Sequence, residues 1–282
     1  MEVTTRTLEA AALQTASFVG LPHTYPANST INELLDIQKG MYPPATVWPQ
    51  MRYSMIGYGG HRPQLTTDGR NITLPVQHRT TDLGLFSPLP YVLRPFSGDL
   101  SQVERARYCL RRLETHNGIV CVAYYGKRID FTGALVERQL NTVADDQSQT
   151  ISEVVYSTAN LSPTPTQLQP NQVNLASGQY VSPICKIWVG LDTEWEANEL
   201  LNVSRLKFGD DYGALISEIG LVTGVDKLIT ADASSGNFMF NEVIGAQLAA
   251  HIACSYNVAL GTNLRAGTYV NIGIAEPMFI IS

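Results

Sequence analysis

The run Ala214-Leu215-Ile216-Ser217-Glu218-Ile219-Gly220-Leu221-Val222 constrains the fold of this chain more than any other stretch. On extended backbone, Leu215, Ile219 and Leu221 fall on one face and Ile216 and Val222 on the other. Glu218 shares that second face, and a carboxylate buried there needs a partner. Gly220 interrupts the apolar run, which marks a bulge or the close approach of another backbone. The turn-rich segment Thr223-Gly224-Val225-Asp226-Lys227 follows. The stretch therefore reads as a strand with a structural task.

The chain has 282 residues, enough for one large domain or two ordinary ones. A chain of that length buries about 75% of the surface its unfolded form exposes, so it needs no covalent staples. Charged residues make up only 16%, below the usual quarter, which suits a subunit that buries its exterior against copies or neighbours. The net charge of −6 argues against a protein that coats nucleic acid, because phosphate binding draws on clustered Lys and Arg. Cys109, Cys121, Cys185 and Cys254 are widely spaced and form no C-x-x-C pair. They read as small buried apolar residues, with neither zinc nor a disulfide framework expected. The N-terminus lacks a charged region followed by an apolar core, and no apolar run reaches the roughly 20 residues of a membrane span. The expectation is a chain made soluble in a cytoplasm.

Along the chain, residues 4–18 read as a short helix with Leu8, Ala11, Ala12 and Thr15 on one face. Thr30 and Glu33 form a capping box ahead of Leu34, Leu35 and Ile37, with Gly40 as a stop. Residues 45–98 read as short strands joined by long loops. Ser101 and Glu104 make a second capping box, and Val103, Ala106, Leu110 and Leu113 recur at helical spacing, which predicts a helix over 99–114. Asn117-Gly118 is a turn, Ile119–Ile129 a strand, and 145–150 a hairpin tip. Three prolines between Pro163 and Pro170 mark a linker. Strands are expected at 180–190, 200–208, 214–222, 238–260 and 268–281, the 238–260 run being preferred as strand over a helix carrying Val243, Ile244, Leu248 and Ile252. The predicted class is α+β: an N-terminal helical arm (1–45), a loop-rich α+β region (46–160), the linker (161–175), and an antiparallel β-sandwich (176–282).

Several stretches together resemble a family of virion structural proteins from contractile-tailed bacteriophages. They are Tyr53–His61, Leu93-Arg94-Pro95, Glu104–Tyr108 with Glu114–Gly118, Ala123–Asp130, Thr158–Pro165, and Asn241–His251. The strand Ile216-Ser217-Glu218-Ile219-Gly220-Leu221 is similar to a signature of tail-collar and tail-fibre attachment domains. The likeness covers most of the chain from residue 50 onward and leaves residues 1–45 without a counterpart. It implies a non-enzymatic subunit of the neck, collar or baseplate, working as a ring of copies with the symmetry phage tails impose. The expected location is the virion, assembled in the host cytoplasm. The expected partners are copies of the chain and neighbouring tail, neck, fibre or baseplate proteins, with no membrane and no cofactor. A glycan-binding receptor-recognition sandwich and a virion hydrolase are the alternatives from other classes.

The residues themselves offer little chemistry. No H-E-x-x-H, G-x-S-x-G or G-x-x-x-x-G-K-[ST] pattern occurs. Gly57-Tyr58-Gly59-Gly60 is followed by no Lys or helix start, so it is not a phosphate loop. His61, His116 and His251 read as hydrogen-bonded anchors rather than ligands. Asp210-Asp211, Asp226 and Asp232 lack calcium-loop spacing and read as solvated turn carboxylates. No catalytic or metal-ligating residue is assigned. Four arginines, Arg105, Arg107, Arg111 and Arg112, would lie away from the apolar stripe of the 99–114 helix, pairing locally at 104→107 and 111→114. They are expected to face a protein partner, DNA contact being disfavoured by the net charge. On that reading Arg105→Ala with Arg112→Ala would leave folding nearly unchanged. Abundant Tyr points to interfaces as well. Trp195 could anchor a contact, and the apolar C-terminus with Phe279 and Ile281 is either a core strand or one lent to a neighbour.

Overall fold

A computed structural model describes residues 3–144, 146, 148–153, 155–162, 178–211, 214–234, 236–257, 266–273 and 276–277. In chain order the first half contains β1 (Val3–Arg6), α1 (Leu8–Val19), α2 (Ile31–Leu35), β2 (Gln50–Gly57), β3 (His61–Leu65), β4 (Asn71–Pro75), β5 (Pro88–Leu89), β6 (Val92–Pro95), α3 (Gln102–Arg105), β7 (Tyr108–His116) and β8 (Ile119–Arg128). The second half contains β9 (Val136–Val143), β10 (Gln149–Glu153), α4 (Thr158–Leu161), β11 (Gly178–Gly190), α5 (Glu194–Phe208), β12 (Leu215–Ala233), β13 (Gly236–Asn257), β14 (Gly267–Gly273) and β15 (Glu276–Pro277). The fold is β-rich with few helices, and its paired strands run antiparallel.

Two compact units result. The first comprises residues 1–129 and 189–268, the second residues 130–188 and 269–282. Strands β12 and β13 thus share a unit with those before 129, while β15 and most of β14 fall in the other, a division that does not run through the linker expected at 161–175. The three prolines of that linker lie outside the described residues. The first unit is built on an eight-stranded sheet in the order β1-β13-β12-β2-β8-β6, with β5 added to β2 and β7 to β8. The second holds a five-stranded sheet in the order β10-β9-β11-β14, with β15 on β11.

The Ile216–Leu221 strand sits inside the first sheet, between β13 and β2, and its residues from Ile216 to Gly220 are fully buried. Register shifts interrupt its pairing with β13 between Ile216 and Glu218 and again after Leu221. A Cβ on Gly220 would stand 2.5 Å from Leu248 Cδ2 and 3.2 Å from Leu85 Cδ2. The glycine is therefore required by side chains from β13 and the 76–87 connection, rather than by a second backbone.

The helix expected over 99–114 is replaced by one turn and a strand. The Ser101–Glu104 capping box forms as read, but α3 stops at Arg105 and β7 begins at Tyr108. Asn117 and Gly118 both take positive φ, 50° and 78°, the geometry of a two-residue hairpin turn. That turn pairs β7 with β8 from His116–Ile119 back to Tyr108–Lys127. Cross-strand pairing along the hairpin outweighs a helical periodicity of only four positions. Val103, assigned to the apolar stripe, is 83% exposed.

Two further elements differ from expectation. Residues 200–208 lie in helix α5, capped by Thr193, whose side chain accepts from Glu196 N–H, and ended by Gly209 at φ 85°. Ala197, Leu200 and Val203 give it a buried stripe. The N-terminal arm starts as a strand, with α1 following only after Thr7. Leu13 is the residue α1 buries, and Leu8, placed on the expected apolar face, is exposed. The preference for strand over helix at 238–260 agrees with β13, the β8 strand and the 30–33 capping box match their expected places, and β9–β10 form a hairpin around 144–148.

Candidate functional site

The four arginines meet acids of their own unit instead of presenting a helix face. Arg111 Nη2 donates to Asp99 Oδ2 at 3.0 Å and to the Asp232 carbonyl at 2.6 Å, and its backbone N–H donates to Glu242 Oε1 at 2.9 Å. Arg105 places its guanidinium 3.8 Å from the Phe238 ring centroid and 3.6 Å from Asp99. Asp99 is itself nearly buried and also accepts from Tyr124 Oη at 2.6 Å. Together these contacts pin the far end of the β12–β13 hairpin against β7 and β8, through a cation–π pair and charge-assisted hydrogen bonds. Arg107 turns toward Glu196 at 3.5 Å and Arg112 toward Glu114 at 3.8 Å, each still 41% exposed. The expected 104→107 and 111→114 pairs do not form, because the helix that would align them is absent. Glu104 instead accepts from Ser101 N–H in the cap. Arg105 is not a free surface residue, so the expectation that its loss leaves folding unchanged is corrected.

A second charged cluster fixes α5. Lys127 on β8 is buried and donates from Nζ to Glu196 Oε2 (2.9 Å), Asp192 Oδ2 (2.6 Å) and the Gly190 carbonyl (2.9 Å). Arg94 on β6 forms a two-pronged bond to Glu199 at 2.8 and 2.5 Å. Its guanidinium lies 5.7 Å from the ring of Trp195, which is half-buried at the start of α5. Trp195 belongs to this helix seam. Phe279 and Ile281 lie outside the described residues. Tyr53, Tyr91, Tyr108 and Tyr124 are core residues, with Tyr108–Tyr124 centroids 5.3 Å apart and Tyr91 Oη 3.0 Å from Ser54 Oγ. Much of the tyrosine taken as interface material is therefore interior.

The third cluster surrounds Glu218, whose need for a partner was legible. Its Oε1 accepts from Gly59 N–H (3.1 Å) and Ser87 N–H (2.8 Å), and its Oε2 from Phe86 N–H (3.0 Å) and His78 Nε2 (3.2 Å). Burial alone would raise the Glu218 pKa; the hydrogen bonds from His78, Ser87, Phe86 and Gly59 more than offset this and hold the carboxyl below its usual range. Gly60 N–H donates to Ser217 Oγ at 2.9 Å, and a Cβ on Gly60 would collide with the Ser217 carbonyl. The Gly57–Gly60 glycines exist to bring this loop against β12, and His61 follows them at the start of β3. His116 is an anchor as expected, bonded to Glu114 at 2.8 Å. His251 stacks on His78, with centroids 3.7 Å apart. Asp226 and Asp211 stay solvent-accessible, as read, and also pair with Arg128 and Arg205.

Sequence reasoning missed His78, Asp82, Asp99, Lys127, Glu196 and Glu199. Thr193-x-x-Glu196 was a readable capping signal for α5; the others depend on pairings more than 60 residues apart along the chain or hidden by the misplaced helix. Among the described residues no three His, Cys, Asp or Glu side chains gather into a set that could hold a metal ion. The profile of a family of unknown function (DUF7208) matches residues 1–282, and the chain belongs to that family. No curated protein and no solved structure matches it.

Proposed function

We propose that the protein is a structural subunit of a tailed-phage virion, assembling in several copies at the neck or collar of the tail and holding neighbouring virion proteins together. The observation that carries this reading is the exposure of large apolar side chains on a chain of low charge. Phe18 is 92% exposed, Leu161 86% and Leu135 77%, with Val19 and Leu21 exposed beside Phe18. Such residues on both units are suited to burial against other subunits. The resemblance of the strand Ile216–Leu221 and of the Tyr53–His61 and Ala123–Asp130 segments to contractile-tail proteins supports the setting. The clamps around Glu218, Asp99 and Lys127 favour a rigid building block, since charged side chains there are spent on holding the fold together. The sandwich expected from about residue 176 stays part of this proposal, supported by the antiparallel pairing of the strands in that part of the chain.

Immuno-gold electron microscopy of purified virions tests the placement. Label at the head–tail joint is the expected result. Label at the baseplate or fibres transfers the protein to the baseplate or fibre-attachment alternative, and particles without label remove the reading. A glycan array gives the receptor-binding alternative its own test, with saturable binding of a defined glycan as its signature.

A further inference from the structure

We propose that the stacked pair His78–His251 is an acid-operated latch that docks the connection 76–87, and with it the start of α1, onto the main sheet. His78 is sandwiched between two rings, Phe86 at 3.8 Å and His251 at 3.7 Å, both within 12° of parallel. Its Nε2 faces Glu218 Oε2 at 3.2 Å and its Nδ1 faces Asp82 Oδ2 at 3.6 Å. Both ring nitrogens thus face carboxylates. His251, on β13, is different. Its Nε2 lies 3.0 Å from the Asp82 carbonyl, an acceptor only, so Nε2 carries the hydrogen. Its Nδ1 is buried without a hydrogen-bond partner, which is where the lone pair of a neutral ring belongs. The groups facing His251 are His78 and Asp82 from the connection and Glu218 from β12; the residues paired beside it on β1 and β12 are Thr5 and Gly220, which carry no charge.

A second proton has one place to go, His251 Nδ1. It would arrive without an acceptor, in a buried place against the His78 ring. Burial holds the His251 imidazole below its ordinary range, and the neighbouring His78 adds to this, against the bond to the Asp82 carbonyl and the Asp82 and Glu218 charges, which pull the other way. The sign follows. A basic group whose folded pKa is depressed binds more protons when released, so docking is complete above the free-histidine value of about 6.5 and weakens as pH falls below it. Glu218 acts in the same direction but in a lower window, below the ordinary carboxyl range of about 4.3, so the two can be told apart. The consequences travel with the segment. Phe86 N–H and Ser87 N–H bond to Glu218, Leu85 packs beside Gly220, and Thr80 C=O accepts from Leu8 N–H at 2.8 Å. Protonation of His251 therefore loosens 76–87 and the start of α1 while β12 and β8 stay paired.

Hydrogen–deuterium exchange of the full chain, corrected for intrinsic rates, reads this directly. Between about pH 7.5 and about pH 5.5 the Phe86 and Ser87 amides should lose protection progressively, while peptides from β8 and β12 keep theirs. His251→Phe retains the stack but cannot charge, and its 76–87 exchange should be flat over that range. Unchanged exchange in the wild type, or the same acid response in the variant, overturns the latch. Should the variant fail to fold, the wild-type ring protons decide by NMR titration. A His251 midpoint well below about 6.5, the free-histidine value, is required, and one at that value overturns the proposal.

Discussion

Glu218→Gln is the substitution that should reveal how the interior is held. The amide has the carboxylate's shape, so packing around the fully buried side chain is preserved and the change isolates hydrogen bonding. Glu218 Oε1 accepts two N–H groups, from Gly59 and Ser87, and Oε2 accepts from Phe86 N–H and His78 Nε2. With its NH2 at the Oε1 place the amide faces the Gly59 and Ser87 N–H groups and satisfies neither; at the Oε2 place it faces Phe86 N–H, and His78 Nε2 can accept from it in the other tautomer. Losing one or two hydrogen bonds to a charged acceptor, at about 1.5–3 kcal/mol each, costs about 1.5–6 kcal/mol. That is a large share of the 5–15 kcal/mol typical of a folded domain. For a unit of this size, about 2–4 °C of midpoint is lost per kcal/mol, so the melting temperature should fall by roughly 3–24 °C. The pH response gives a second reading. The Glu218 carboxyl is held below its ordinary value, so its stabilisation is complete above the unfolded pKa and lost as pH falls through the folded one. The variant should lack that part of the wild type's acid sensitivity. Thermal melts followed by circular dichroism at neutral and acidic pH test both. A variant within about 2 °C of wild type, a loss of at most about 1 kcal/mol, would refute the view that Glu218 is the clamp joining the 57–60 and 76–87 loops to β12.

Arg111→Ala should destabilise by about 3–5 kcal/mol by leaving Asp99 short of its main cation, whereas Arg112→Ala should stay within about 0.5 kcal/mol; equal effects in urea titrations would contradict the described burial. Gly60→Ala should cost at least about 1–3 kcal/mol through the clash with the Ser217 carbonyl, and wild-type stability of the purified variant would count against that approach. Asn32→Ala should lower stability by about 2–4 kcal/mol, since Asn32 bonds the Ile37 and Val243 carbonyls and the Ala246 N–H, and a smaller loss would show that α2 is not stapled to β13. Deleting residues 1–25 removes β1 and Thr7, which pair with β13, and should reduce soluble yield by baring that strand's edge; an equally soluble truncation would place the arm's role outside the fold.

The sequence made the local signals visible and hid the long-range ones. The capping boxes at 30–33 and 101–104, the Asn117-Gly118 turn and the alternation of Ile119–Ile129 act within a few residues, and each stands where it was read. The run from Asp99 to Glu114 failed because two local signals competed: a capping box that starts a helix and a turn that draws the same residues into a hairpin. In α5 the Thr193–Glu196 cap was legible, but residues 200–208 were placed among strands. The partner of Glu218 was predicted as a need without an identity, since His78 and the 86–87 amides lie more than 130 residues away. The contacts of Arg105 and Arg111 were not legible, because Asp99 and Phe238 reach them only once β7, β12 and β13 are assembled.

The central claim is that the chain is a multi-copy part of a phage particle. Quantitative mass spectrometry of tailed virions, purified by density gradient from cells carrying its gene, tests that most directly. The account predicts the intact chain in the particle band, at a constant ratio to the tail proteins of several copies per virion. Its absence from washed particles, with the protein remaining in the lysate, would contradict the account.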